Sequence, residues 1–237
     1  EQNAAADRLV NRCLDSVRAG ESGRIEIRPG LSAADVIGEA VEEQVQSIGS
    51  GSARTSGAPP RLGWAGNLGV PTTMLICRHG VTEYTAQRRF SGTGGADLPL
   101  TDAGERQAAA LAAEIVARGG VDAIVASPLL RTQQTAERIA ATTGLVVETH
   151  AGFSEASFGE WDGLTYAEIE AGWPEQLRAW LSSADVAPPG GESFHEVCRR
   201  VEAARLDVLA KHPGLRVAVV SHVTPTKVLV STALQAY

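Results

Sequence analysis

Cysteine is scarce in this chain, with three residues in 237: Cys13, Cys77 and Cys198. Their odd number and wide spacing, without a CxxC pair, exclude a disulfide framework or a cysteine zinc site. They predict reduced thiols in a cytoplasmic protein. Long apolar runs are missing too: no stretch approaches the roughly 20 residues that a membrane-spanning helix needs. The opening EQNAAADRLV has neither a basic n-region nor an apolar h-region, so it does not read as a signal peptide. No methionine stands first, which predicts a chain that begins inside a longer protein. Positive charge is in deficit. The formal net charge of −7 argues against a whole-chain electrostatic grip on nucleic acid or an anionic membrane. What remains is an ordinary globular composition, 43% hydrophobic and 21% charged.

The first 70 residues offer little to bury. Leu9, Val10, Cys13, Leu14 and Val17 recur at helical spacing, and Gly20 stands where that helix would stop. Residues 32–48 predict a second, weak helix. The run GSGSARTSGAPPRLGWAGNLG over 49–69 has the composition of a linker. Within the first helix, Asn3 to Leu9 (NAAADRL) resembles the N-x-x-x-D-x-L segment near the end of type I ribonuclease H domains. That resemblance implies that Asp7 is the last metal-holding carboxylate of such a domain. An ordinary N-terminal helix cap explains the same letters. One carboxylate cannot organise a two-metal site, so ribonuclease activity is not expected. The predicted organisation is a remnant helix at 1–20, a linker at 21–70 and one domain at 71–237.

That domain is organised around Met74 to Thr82, MLICRHGVT. Met74-Leu75-Ile76-Cys77 has the length and character of a buried parallel strand, and Arg78-His79-Gly80 follows where the strand should end. Ligands in open α/β sheets sit at the carboxyl ends of strands. A histidine there, between a fixed cation and a glycine, suits a nucleophile that handles an anion. Thr101 predicts an N-cap for a helix to about Arg118. Val121 to Ala126 reads as a strand, and Ser127-Pro128 as the cap and first position of a helix ending near Gly144. Arg131 then lies in that helix's first turn, where it either joins backbone donors and the positive dipole end in an anion site or is an ordinary solvated helix arginine. Thr165 with Glu168, and Ser193 with Glu196, make capping boxes. Val217 to Val220 is the last clear strand, and it too ends in a histidine, His222. Strands alternating with helices predict a mainly parallel sheet covered on both faces, with both histidines on one rim.

The pieces RHGVT, RRFSG, DLPLT, SPLLRTQQTA, SEASFGEWDG, PPGGES and VVSH, in this order over residues 74 to about 223, resemble the histidine phosphatase superfamily, the phosphoglycerate-mutase-like group. The resemblance implies a three-layer α/β/α sandwich and metal-independent hydrolysis of a phosphomonoester, with no cofactor. It implies His79 as the nucleophile that becomes phosphohistidine and Arg78, Arg131 and His222 as the phosphate pocket. Glu155 is then the proton donor. Thr85, Arg89, Ser91, Gly92 and Val223 fall at substrate-contacting positions, with Thr85 replacing a common Asn and Val223 a common Gly. The chemistry agrees: a phosphate dianion calls for charged donors, here Arg78, Arg131 and a protonated His222. Neutral imidazole is a competent nucleophile near pH 7, and a carboxyl can protonate the leaving alkoxide and then activate water. PPGGES and the short motif spacing look more like small-molecule phosphatases, such as α-ribazole phosphatase, than like mutases. A mutase-type phosphotransferase and a non-catalytic phosphate-binding module are the alternatives. A fusion of ribonuclease H with such a phosphatase would unite both resemblances. The expected partner is a small phosphomonoester, with neither nucleic acid nor membrane, and truncation is expected at the end of the domain.

Overall fold

The structure, a computed structural model, describes residues 70–235. The predicted remnant helix with Asp7, the weak second helix and the 49–69 linker lie outside those residues.

Among the described residues, four short strands form one all-parallel sheet in the order β1-β4-β2-β3: β1 Thr73–Arg78, β2 Ala123–Ala126, β3 Val147–Thr149 and β4 Arg216–Ser221. β4 lies between β1 and β2, with Arg78 opposite Ser221 and Ala126 opposite Val220. Its alternation distributes side chains to two cores, as a period of two requires. Val217 and Val219 face one side, with Val197, Val201, Ala204 and Val208 of α6 (Phe194–Lys211) and Val228 and Leu229 of α7 (Val223–Gln235). Ala218 and Val220 face the other, with Ala112 and Ile115 of α2 (Asp102–Ala117) and Ala136 and Ile139 of α3 (Leu130–Thr143). The fold is the expected α/β/α sandwich. Each fully buried valine contributes roughly 1.5–3 kcal/mol relative to exposure. A third cluster joins Trp161 with Ile169 of α4 (Tyr166–Gly172), Leu177 and Trp180 of α5 (Pro174–Ser182) and Phe194 of α6.

Local expectations mostly hold. Thr101 caps α2 by accepting from the Gly104 amide, both capping boxes form, and Gly144 ends α3 in a left-handed conformation. Three do not. β1 is only half-buried, because among the described residues it pairs with β4 alone and forms the sheet's edge. β3, α5, α7 and the single turn Glu83–Ala86 are additional to the predicted elements. The helix after β2 starts at Leu130 rather than Pro128, and Ser127 does not cap it. Asp97 substitutes from 33 residues away, accepting from the Leu130 amide at 3.0 Å with both carboxylate oxygens. No helix among the described residues is long and apolar enough to cross a membrane.

Candidate active site

The carboxyl ends of β1, β4 and β2 deliver His79, His222 and Ser127 to one rim. The His79 amide donates to the Ser221 carbonyl at 3.1 Å, and the two imidazoles lie 5.1 Å apart between centroids. Gly80 is required by proximity rather than flexibility: a Cβ there would sit 2.4 Å from the Gly104 carbonyl oxygen at the start of α2. Its amide donates to Thr135 Oγ1 of α3 at 3.1 Å, so the turn after His79 is held from two helices.

His79 Nδ1 lies 2.7 Å from the Gly80 carbonyl. A carbonyl only accepts, so Nδ1 carries the proton and Nε2 keeps its lone pair. Burial, with Arg131 and Arg78 nearby, pushes the imidazole pKa down to about 3 against the raising effect of the Gly80 bond. His79 is therefore neutral over the whole physiological range.

His222 is completely buried. The Arg131 Nε–H donates to its Nδ1 at 3.3 Å, which leaves the ring proton on Nε2. From there a chain of donors runs to Ser127 Oγ at 2.7 Å, on to Thr132 Oγ1 at 2.7 Å, and ends on the Leu129 carbonyl at 2.6 Å. Ser127 Oγ also accepts from the Leu129 amide at 3.4 Å, but from no amide within α3, so it does not cap that helix. Burial, then the charge of Arg131, holds the His222 pKa well below its ordinary value. In the free protein, then, burial and the neighbouring Arg131 charge favour a neutral His222, whereas the sequence expectation of a protonated His222 concerns the pocket with a phosphate dianion bound.

Arg131 is 1% exposed. Its Nη2 donates to the Ser91 carbonyl at 2.9 Å, and Nη1 is a buried donor with no hydrogen-bond partner, 3.8 Å from Asp97. Burial opposes its charge, while Glu155, Asp97 and Asp162 support it. An unpaired guanidinium N–H is costly to bury, and it leaves a charged donor that an anion could use. Ser91 Oγ is likewise buried without a partner. Arg78 ends β1 in an exposed position. Glu155 is buried; its Oε1 accepts from the Ala156 amide at 2.9 Å, and the Thr224 amide at the start of α7 approaches both oxygens at 3.3 and 3.4 Å. Val223 is the first residue of that helix.

The remaining predicted contacts divide. The Gly92 amide donates to Asp162 Oδ1 at 2.5 Å. Burial raises the Asp162 pKa. Thr85 Oγ1 pairs with Thr82 Oγ1 at 3.1 Å within the cap of the short helix α1 (Glu83–Ala86). Arg89 braces loops: its Nη1 donates to the Gly163 carbonyl and to Glu168, and its Nε to Gln87. Sequence reasoning missed Asp97, Asp162 and the Ser127–Thr132 pair, although all four lie in segments it singled out. A cavity of about 280 Å³ between β1 and α2 reaches Arg78 and His79 from the sheet edge. Arg131, Glu155 and His222 do not line it. Among the described residues no group of three or more His, Cys, Asp or Glu side chains is placed to hold a metal ion.

Fully buried His222 and partly buried His79 make stability depend on pH. The unfolded chain takes up a proton at each near pH 6.5, whereas the folded chain refuses it far below that. Stability therefore falls as pH drops from 6.5 to 5, by up to about 1.4 kcal/mol per pH unit for each such histidine. Urea unfolding across this window should show a shallower slope for His79→Gln than for wild type, by close to one proton. Equal slopes would mean that His79 titrates normally.

A parallel sheet covered on both faces, with a neutral histidine and a buried arginine meeting at its carboxyl rim, defines the α/β class to which this chain belongs. The chain belongs to the histidine phosphatase superfamily (branch 1), whose sequence profile matches residues 74–237. A Mycobacterium tuberculosis protein described as bifunctional is 38% identical over 235 residues, 99% of this chain and 58% of that relative's length. A solved mycobacterial glucosyl-3-phosphoglycerate phosphatase in complex with VO3 superposes with a TM-score of 0.60 at 33% identity, covering 68% of this chain and 80% of that one. The α-ribazole phosphatase of Shigella flexneri gives 0.60 at 26% identity, over 67% and 78%.

Proposed function

We propose that the chain hydrolyses a small phosphomonoester through a phosphohistidine at His79. The observation that carries this is the forced tautomer of His79, which leaves the Nε2 lone pair available beside a buried arginine that has a donor to spare. Nε2 attacks phosphorus as the P–O bond to the leaving group breaks. Glu155 in its acid form passes a proton to the departing oxygen. Water then attacks the P–N bond, Glu155 takes up its proton, and phosphate leaves His79 with its lone pair restored. Arg131 and Arg78 balance charge on the equatorial oxygens. His222 enters this sequence neutral, and a bound dianion favours its protonation.

Solved relatives named for glucosyl-3-phosphoglycerate and α-ribazole phosphate support a small-molecule substrate. The bifunctional relative matches over 99% of the chain, so it contains the N-terminal segment as well as the phosphatase segment. That supports reading the chain as part of a two-function fusion with 71–237 as its phosphatase domain, while the ribonuclease H-like reading of residues 1–20 rests on the NAAADRL segment.

The test is hydrolysis of p-nitrophenyl phosphate in EDTA, with acid-labile phosphate mapped by mass spectrometry on the peptide that holds His79. Phosphate binding without turnover would favour a binding module instead. For Glu155→Gln, kcat/KM for p-nitrophenyl phosphate should stay within about fivefold of wild type, while that for β-glycerophosphate falls roughly 100- to 1,000-fold. Equal losses on the two substrates would remove Glu155 as the acid.

A further inference from the structure

We infer that Arg200 and Glu192 are positioning residues that aim Glu155 at the leaving group; this rests on the proton-donor reading of Glu155 above. Arg200 lies on α6, 45 residues from Glu155 in sequence. Its Nη1 donates to the carbonyls of Gly152 at 3.0 Å and Ser154 at 2.7 Å. Nη2 donates to the Glu155 carbonyl at 3.0 Å and to Glu192 Oε2 at 3.0 Å, and Nε to Glu192 Oε1 at 2.9 Å. A guanidinium has five N–H donors. All five are engaged here, so none is left for substrate.

Glu192 closes the other side. Its Oε2 also accepts from the Ser157 amide at 2.9 Å, and its own amide donates to the Ser157 carbonyl at 2.8 Å. One ion pair thus ties the backbone at residues 152, 154, 155 and 157. The loop is pressed onto its supports as well. A Cβ on Gly152 would sit 2.6 Å from the Ala204 Cβ, and one on Gly191 would sit 2.5 Å from the Ser157 carbonyl oxygen. By contrast, the Glu155 carboxylate itself has one short bond, from the neighbouring Ala156 amide, and two long approaches from Thr224. The direction of the carboxylate is therefore inherited from the backbone that Arg200 holds. A misplacement of about 1 Å is enough to cost on the order of 100-fold in proton transfer.

The experiment compares Arg200→Met, Arg200→Lys and Glu192→Gln, each alone and combined with Glu155→Gln, by kcat/KM on p-nitrophenyl phosphate and β-glycerophosphate. Arg200→Met should lose roughly 30- to 100-fold on β-glycerophosphate and under about threefold on p-nitrophenyl phosphate. Placed on Glu155→Gln, it should cost less than about twofold more on either substrate, because the group it aims is gone. Arg200→Lys should not rescue, since an ammonium cannot span three carbonyls and a carboxylate. Glu192→Gln keeps the shape and removes the charge; it should show the same substrate split at smaller size, and it decides the matter if Arg200→Met fails to fold. Equal losses on both substrates, or a full further loss on Glu155→Gln, would overturn the role of Arg200 while leaving Glu155 as the acid. A Glu155→Gln variant without leaving-group dependence would overturn both together.

Discussion

Replacing His79 with alanine should abolish hydrolysis of p-nitrophenyl phosphate, lowering kcat by about 10,000-fold or more, in the range seen when an enzyme loses its attacking group. p-Nitrophenolate leaves without help, so neither a missing proton donor nor a misplaced Glu155 imitates a loss of that size. Phosphate binding should change far less. Arg131 keeps its bonds to Ser91 and His222, and its unpartnered Nη1 is still offered to the anion. Affinity for inorganic phosphate, measured by calorimetry, should stay within about tenfold, since the charged donors dominate it. The fold should hold too, because the one side-chain hydrogen bond shown for His79 is to its own neighbour, Gly80. The variant should even resist acid better than wild type, having lost a side chain that folding keeps deprotonated. Turnover within tenfold of wild type would show that some other group attacks phosphorus.

What the sequence made legible, and what it hid, follows from the range of each interaction. The capping boxes at Thr165 and Ser193 could be read because both partners lie within four residues. The histidines at the ends of β1 and β4 could be read because a short apolar run announces its own end. Ser127 was misread as a cap. Its hydroxyl is claimed by His222, 95 residues away, and nothing local shows that. Asp97, the actual acceptor at the start of α3, is hidden for the same reason. The burial of β1 was overestimated because an apolar run looks the same at the edge of a sheet as in its middle. β3, at three residues, is too short to carry a period. The charge on His222 was beyond sequence altogether: it depends on burial and on which atom of Arg131 faces which ring nitrogen. Arg200, beside Arg199 on a helix, looks like a solvated cation until the loop around Glu155 is placed on it.

Arg131→Lys is the sharper test of the phosphate pocket, because it keeps the charge and changes only its geometry. The guanidinium points three ways: Nη2 donates to the Ser91 carbonyl, Nε to the His222 ring, and Nη1, 3.8 Å from Asp97, is the donor the proposed mechanism offers to the anion. Lysine has one nitrogen on a flexible stem and cannot fill those positions together. At a side chain only 1% exposed, whichever partner it abandons is left unsatisfied. The expected loss in kcat/KM is about 100- to 1,000-fold, the scale of removing one preorganised donor from a developing charge. A second readout separates this from general damage. In Arg131→Met, His222 Nδ1 loses its donor and its nearest repelling charge, so the ring should titrate closer to its ordinary range. Nitrogen-15 NMR would report the shift in a sample whose unfolding transition remains cooperative. If Arg131→Lys kept kcat/KM within threefold, charge alone would suffice, and the three-sided geometry would have no part in binding phosphate. If His222 stayed neutral in Arg131→Met down to pH 4, burial by itself would set its state, and the hydrogen bond from Arg131 would be a consequence of that neutrality rather than a contributor to it.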